Sequence, residues 1–380
     1  MKDSISIEEK AKKAFLVGIR DEKTSLKKAQ SLLRELEGLA NTLELDIIAG
    51  EIVNLRERHP RYGMGTGKAE EISEKAKALN AECIIFDRDL GPSQQRNWEQ
   101  LSGISAIDRQ ELIIQIFATR ASTREASLQV NLAELNYSLP RLQHKYINLA
   151  RQRGGRYGTR GEGETRLETD RRRVEQRINR LEKELEKVGQ QRQLKRRQRE
   201  RQAIPLCSLV GYTNAGKSSV LNALTGAGVL AEDKLFATLD PVSRRLQLPG
   251  GTWVLLVDTV GLIRRLPHNL INAFRSTLEE VKFADILINV LDASDEDVKE
   301  HYETTLSILR DLGADNIPMI TLLNKIDKLD DLGDELAKET AMNTLLDAFP
   351  GAIPFSAIEG KNAGNERIKG LFKAIEKNLK

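Results

Sequence analysis

The stretch that most constrains this chain is Gly211-Tyr-Thr-Asn-Ala-Gly-Lys-Ser218. It fits G-x-x-x-x-G-K-S/T, a loop that wraps a phosphate in successive backbone N–H groups at the positive end of a helix. That chemistry needs a buried strand before the loop and a helix after it. Leu206-Cys-Ser-Leu-Val210 is an apolar run of strand length, and Ser219-Val-Leu-Asn-Ala-Leu-Thr225 carries apolar residues at helical spacing. Gly211, Tyr212, Thr213, Asn214, Ala215 and Gly216 would form the cradle, with Ser219 at its edge. Lys217 would supply a catalytic cation and Ser218 a metal-ligating hydroxyl.

Four further elements follow in the order a guanine-nucleotide switch requires. Asp258-Thr259-Val260-Gly261 ends the apolar run Thr252–Val257. There Asp258 can hold Mg²⁺ through water, and the Gly261 N–H can meet a γ-phosphate. Asn324-Lys325-Ile326-Asp327 follows the strand Met319–Leu323, and Asp327 can accept two hydrogen bonds from guanine that adenine cannot offer. Ser356-Ala357, after Ala352–Phe355, would bring a backbone N–H toward the guanine O6. Thr238, in Leu235-Phe236-Ala237-Thr238-Leu239-Asp240, is the candidate second hydroxyl ligand of Mg²⁺, with Phe236, Ala237, Leu239 and Asp240 around the nucleotide. Each motif alone is weak. In order, each at a strand end, they point to a Mg²⁺-dependent GTP/GDP site. The place after Gly261, where a glutamine would orient water, is Leu262, so unaided hydrolysis should be slow. Arg264 and Arg265 are candidate electrophilic aids, although a salt-bridged or partner-facing surface is the plainer reading.

The rest of the chain reads as two further parts. Residues 1–110 alternate strands and helices: Ala14–Ile19, Leu45–Leu55, Glu82–Asp87 and Ile104–Asp108 are strands. Ser25–Leu39 is helical, with Leu26, Leu32, Leu33 and Leu36 on one face, and helices also lie near Lys68–Asn80 and Ser93–Leu101. A small parallel sheet with helices is expected. Gly63-Met-Gly-Thr-Gly-Lys68 superficially resembles a second phosphate loop, but Ala69 follows the lysine and no apolar strand precedes it. A tight turn into a helix is the default there, with a second nucleotide or RNA contact as the alternative. From Glu111 to Gln202 the pattern becomes two long helices. Leu128, Leu132, Leu135, Leu139, Leu142 and then Val174, Ile178, Leu181, Leu185, Val188 follow coiled-coil spacing, predicting an antiparallel hairpin. Pro140 should kink or end the first helix, and Thr165–Glu168 fits a capping box that would start the second.

Charge singles out the hairpin. Residues 151–201 carry 18 Lys and Arg against 9 Asp and Glu, a local +9 in a chain of net +3, which leaves the remainder at −6. The loop 151–165, with Arg153, Arg156, Tyr157 and Arg160 among glycines, suits phosphate tracking and base stacking, so RNA is the expected partner. No apolar run approaches the ~20 residues that span a bilayer. Cys83 and Cys207 both fall inside predicted strands, as small buried hydrophobes rather than metal ligands. The expected location is cytoplasmic.

At this point the chain resembles the HflX family of ribosome-associated GTPases. The resemblance rests on Ser93–Arg96, Thr123–Glu125, Leu128–Val130, Leu139–Leu142, Arg160–Thr165, Asp170–Arg173, Leu235–Pro241 and Leu278–Glu280, besides the nucleotide motifs. It implies a P-loop GTPase domain with a mostly parallel sheet (203–380), preceded by a small α/β subdomain (1–110) and an antiparallel helical hairpin (111–202). It implies binding to the large ribosomal subunit, with the hairpin loop reaching toward the peptidyl-transferase region, and a role in splitting or rescuing ribosomes under stress or in assembly. A monomer, ribosome-associated with at most weak peripheral membrane association, is expected. Members often carry a C-terminal extension, with no counterpart here after the helix Ile368–Leu379. The rival reading is a regulatory switch whose effector is a protein docked on the hairpin.

Overall fold

The structure, a computed structural model, describes residues 13–57, 59–152, 160–201, 204–228, 232–265, 280–358 and 366–379. It divides into two compact units, residues 1–119 with 127–186, and residues 120–126 with 187–380.

The first unit alternates β1 (Lys13–Arg20), α1 (Leu26–Thr42), β2 (Asp46–Asn54), α2 (Thr66–Ala78), β3 (Cys83–Phe86), α3 (Pro92–Ser102), β4 (Ser105–Asp108) and α4 (Arg109–Arg120). The four strands form a parallel sheet in the order β2-β1-β3-β4, as the alternation requires. α1 is capped by Ser25, whose hydroxyl accepts the Lys28 N–H at 3.2 Å. Its buried stripe is Ala29, Leu32, Leu36, Leu39 and Ala40. Leu26, expected on that face, lies in the first turn ahead of the stripe and is 49% exposed. The Gly63–Lys68 segment is a turn into α2, with Gly63 at φ +75°. Trp98 pins it by donating from Nε1 to the Tyr62 carbonyl at 3.0 Å, while Lys68 is engaged by Glu51 and Glu71. Arg109 is buried between Asp87, at 2.9 Å, and Glu35.

Two long helices follow, α5 (Arg124–Gln152) and α6 (Arg160–Arg201). Pro140 does not end α5. Seam residues on both sides of the proline are packed, so the helix continues despite the missing N–H. Nor does α6 wait for the box at Thr165. It is already running at Arg160, because extending a formed helix gains a hydrogen bond for each residue fixed. The seam itself forms one apolar cluster: Leu132, Val174, Ile178 and Leu181, with Leu128, Leu135, Leu139, Leu142 and Leu185 against it. Arg153, Arg156 and Tyr157 lie outside the described residues, and Arg160 opens α6.

In the second unit a six-stranded sheet runs β10-β9-β8-β5-β7-β6, built from β5 (Leu206–Gly211), β6 (Val242–Gln247), β7 (Trp253–Asp258), β8 (Ile286–Asp292), β9 (Met319–Asn324) and β10 (Ile353–Pro354). Only edge strand β6 is antiparallel, and every other pairing is parallel. Among the described residues, the α-helices α7 (Lys217–Thr225), α8 (Val298–Asp311), α9 (Glu335–Ala348) and α10 (Glu366–Asn378) accompany it. β5 is central: later strands go to one side as β7 and to the other as β8. A loop leaving the carboxyl end of such a strand sits where open α/β sheets bind ligands. Among the described residues no helix is long and apolar enough to cross a membrane.

Candidate nucleotide site

Gly211 to Ser218 occupies that place, turning from β5 into α7. Two glycines are dictated by geometry. Gly211, at φ +140°, would put a Cβ 2.3 Å from the Val290 carbonyl oxygen, and Gly216, at φ +91°, would put one 2.3 Å from Asn324 Nδ2. No side chain fits either position. Lys217 is buried, its Nζ donating to the carbonyls of Tyr212 at 2.9 Å and Gly211 at 3.2 Å. Burial pulls its pKa down to about 8, against the opposing charge of Asp258.

Around this loop the distant motifs converge. Ser218 Oγ donates to Asp258 Oδ2 at 2.6 Å and lies 2.7 Å from Thr238 Oγ1. Asp258, fully buried at the end of β7, has its pKa raised by burial and held back chiefly by Lys217. Asn324 Nδ2 donates to the Ala215 carbonyl at 2.9 Å, and its Oδ1 accepts the Ala357 N–H at 3.2 Å. Ser356 Oγ donates to Asp327 Oδ1 at 2.5 Å. Thus the four loops that follow β5, β7, β9 and β10 are stitched to one another by the residues that the sequence singles out. They enclose a cavity of about 370 Å³ lined by Thr213, Asn214, Gly216, Lys217, Ser218, Ser219, Phe236, Ala237, Thr238, Thr259, Gly261, Asn324, Lys325, Asp327 and Ala357. A volume of that order is usual for a small-molecule site.

Other candidates take supporting positions. Tyr212 stacks on His301, ring centroids 3.7 Å apart, and its hydroxyl accepts the Arg264 N–H at 2.8 Å. Leu239, Val260 and Ile326 are buried, and Asp240 faces Ser122 and Thr123. Thr213 Oγ1 accepts the Phe236 N–H at 2.7 Å, which ties the Thr238 loop to the phosphate loop. Leu262 is buried and joins Thr213 and Gly211 through its own carbonyl and N–H, at 2.7 and 3.1 Å. Arg264 turns away from the cavity and pairs with Glu300 and Asp297 of the α8 region, so the salt-bridged reading of that arginine holds.

Glu232, Asp233, Lys234, Lys328 and Ile358 also line the cavity. Asp233 accepts from Asn214 Nδ2 at 2.7 Å, and that bond holds its carboxyl below the usual range. None of these five stands in a motif; the only sequence signal is that Glu232–Lys234 shortly precedes Thr238. Strain gathers here too, since Asn214, Phe236, Arg265 and Lys325 all have positive φ.

A strand–loop–helix phosphate cradle, with a buried carboxylate and an N-K-x-D turn closing on it from neighbouring strands, defines a P-loop GTPase. Comparison with known proteins narrows this. Residues 30–118, 120–199 and 206–325 match family models described respectively as GTP-binding GTPase N-terminal, GTP-binding GTPase Middle Region and 50S ribosome-binding GTPase. GTPase HflX of Akkermansia muciniphila is 46% identical over 366 residues, covering 94% of this chain and 83% of that protein. GTPase HflX of Escherichia coli is 44% identical over 347 residues, covering 91% and 79%. The solved structure of SsGBP with GDP is 26% identical with a TM-score of 0.50, covering 96% of this chain and 99% of that one. The chain belongs to the HflX family of GTPases. It binds guanine nucleotides and is a GTP hydrolase.

Proposed function

We propose that this GTPase works on the large ribosomal subunit, using Mg²⁺ at the Ser218–Thr238–Asp258 cluster and its basic hairpin against ribosomal RNA. The observation that carries the nucleotide half is the meeting of Ser218, Thr238 and Asp258 above Lys217. Asp258 Oδ1 is buried with no hydrogen-bond partner among the described residues, and two hydroxyl oxygens stand beside that carboxylate. Such a set of hard oxygen donors fits Mg²⁺. Ser218 and Thr238 would be the direct protein ligands and Asp258 would act through water. Bound there, the ion would neutralise charge developing on the phosphates.

The chain's own residues do the rest. Backbone N–H groups from Asn214 to Ser219 receive the phosphates, and Lys217 gives up its carbonyl contacts for phosphate oxygens. The Gly261 N–H marks the γ-phosphate position. Asp327 and the Ala357 N–H read the guanine edge, with Asn324 bracing both walls. Leu262 offers no polar group to a water molecule, so the fast reaction needs an outside contribution. The ribosomal subunit supplies it in this reading.

The target half rests on the 50S ribosome-binding description of the 206–325 match and on the +9 charge of residues 151–201. Arg153, Arg156, Tyr157 and Arg160 are the proposed RNA contacts, at the tip of an arm spanning 111–202 between an α/β part (1–110) and the GTPase part (203–380). Splitting or rescuing ribosomes under stress, or assisting their assembly, is the proposed outcome, by a cytoplasmic monomer. GTP turnover measured with and without purified large subunits tests it. Strong stimulation is expected, and none at any subunit concentration would overturn the ribosomal reading.

A further inference from the structure

Two segments carry the family resemblance yet have no part in the nucleotide chemistry: Thr123-Arg-Glu125 and the Asp240 end of Leu235–Pro241. Both lie in the second unit, and the fold brings them together. Asp240 Oδ2 accepts the Ser122 N–H at 3.1 Å, the Ser122 hydroxyl at 2.6 Å and the Thr123 N–H at 3.1 Å. Its Oδ1 accepts the Thr123 hydroxyl. One carboxylate therefore takes four donors from two consecutive residues 117 and 118 positions away. Thr123 Oγ1 in turn accepts the Ala126 N–H at 3.1 Å, the N-cap bond that starts α5. A second fastening lies on the other side of Thr238, where Arg120 Nη2 meets Glu232 at 2.7 Å. The loop carrying Thr238 is thus held at both ends by residues 120–123.

We propose that Ser122 and Thr123 are positioning residues for Thr238, and that through Asp240 the nucleotide state is passed to the N-cap of α5. This rests on the assignment of Thr238 to the metal and γ-phosphate side of the site. With Asp240 clamped, the Thr238 hydroxyl stands 2.7 Å from Ser218, so the clamp belongs with the GTP-bound arrangement. Loss of the γ-phosphate frees Thr238, and the loop leading to Asp240 slackens with it. A carboxylate bound by several charge-assisted donors can only let go as a unit, which makes the contact two-state rather than graded.

The test is amide hydrogen exchange on the full chain, with GDP and with a non-hydrolysable GTP analogue, Mg²⁺ present in both. Residues 121–126 should exchange at least about tenfold more slowly with the analogue, since even one charged hydrogen bond of roughly 1.5 kcal/mol provides that factor. In S122A/T123A that difference should vanish. The Mg²⁺ concentration for half-maximal binding of a fluorescent analogue should rise about tenfold by the same reckoning. Thr123→Ser, which keeps the hydroxyl, should behave as wild type in both measurements. Equal exchange in the two states, in protein shown by fluorescence to bind both nucleotides, overturns the proposal even if the double variant does not fold. Unchanged Mg²⁺ dependence in a folded double variant overturns it equally. Failure of the wild type to bind either nucleotide would instead strike at the site assignment beneath it.

Discussion

Asn324 and Gly216 occupy each other's space: the amide Nδ2 of Asn324 stands 2.3 Å from where a Cβ on Gly216 would be, while donating to the neighbouring Ala215 carbonyl. The end of β9 is thereby locked onto the phosphate loop through a gap that only glycine leaves.

Gly216→Ala should therefore damage the loop twice, by displacing Asn324 and by holding alanine at φ +91°. Backbone strain of about 1–3 kcal/mol corresponds to roughly a 5–150-fold loss of GDP affinity. Calorimetric titration measures it. Affinity equal to wild type would mean that Asn324 and the loop move independently. Asn324→Ala, which strands the Ala215 carbonyl, should lose affinity by a comparable amount.

Lys217 gives a pH signature. In the free protein it titrates at about 8, because burial disfavours the ammonium. Phosphate oxygens would restore its ordinary basicity, so binding takes up a proton wherever the free lysine has lost one. GDP affinity should be flat below pH 8 and fall about tenfold per unit above it, until the bound-state pKa is reached. Lys217→Met should bind weakly with no such slope. A flat wild-type profile to pH 9.5 would show that the lysine stays charged without nucleotide.

What could be read in advance was whatever repeats or stays local. Strands such as Cys83–Phe86 and Leu206–Gly211 are apolar runs between turn residues, and their alternation with helices predicts parallel pairing, though not the order of the strands. The phosphate-loop and N-K-x-D motifs are legible because a backbone cradle leaves few choices of residue. Pro140 does not end its helix and Thr165 does not start the next, because a local stop or start signal is worth about 1–3 kcal/mol and is outweighed by seam packing at the first and by helix propagation at the second. The stack of Tyr212 on His301 and the four donors on Asp240 left no trace, since contacts across so many residues impose no period.

Leu262 is a fixture of the fold as well as a missing glutamine. It is 3% exposed and bridges Gly211 and Thr213 through its backbone. Leu262→Gln should not create a faster enzyme. Burying an amide without partners costs about 1–3 kcal/mol, so the melting temperature should drop by several degrees while unstimulated hydrolysis stays slow. Arg264→Ala, which releases Glu300 and Asp297, should leave GDP affinity close to that of the wild type, because the guanidinium pairs with those carboxylates and does not line the cavity. A gain in unstimulated turnover by Leu262→Gln, measured as phosphate release, would mean the side chain can swing into the cavity.

At the base of the hairpin, Glu111 accepts from Tyr137 Oη at 2.9 Å and Gln95 Nε2 at 3.0 Å, while Arg141 reaches Asp108 at 3.2 Å and Gln95 at 2.8 Å. Burial, reinforced by the charge of Asp108, raises the Glu111 pKa from 4.5 to about 7. The folded state thus holds a proton that the unfolded chain releases near pH 4.5. Its contribution is complete below that pH and is lost as pH rises from there through 7, with a span of roughly 3 kcal/mol. Glu111→Gln keeps a neutral carbonyl acceptor and cannot ionise. Melting temperature followed from pH 4.5 to 8.5 should therefore fall more steeply for the wild type than for the variant, the two curves separating between about pH 4.5 and 7 and keeping a constant gap above that. Because Asp108 is coupled to Glu111 by charge, the difference between the curves reports the Glu111–Asp108 pair. Parallel curves would place its titration outside this range and return the network to a purely structural tie between α4 and α5.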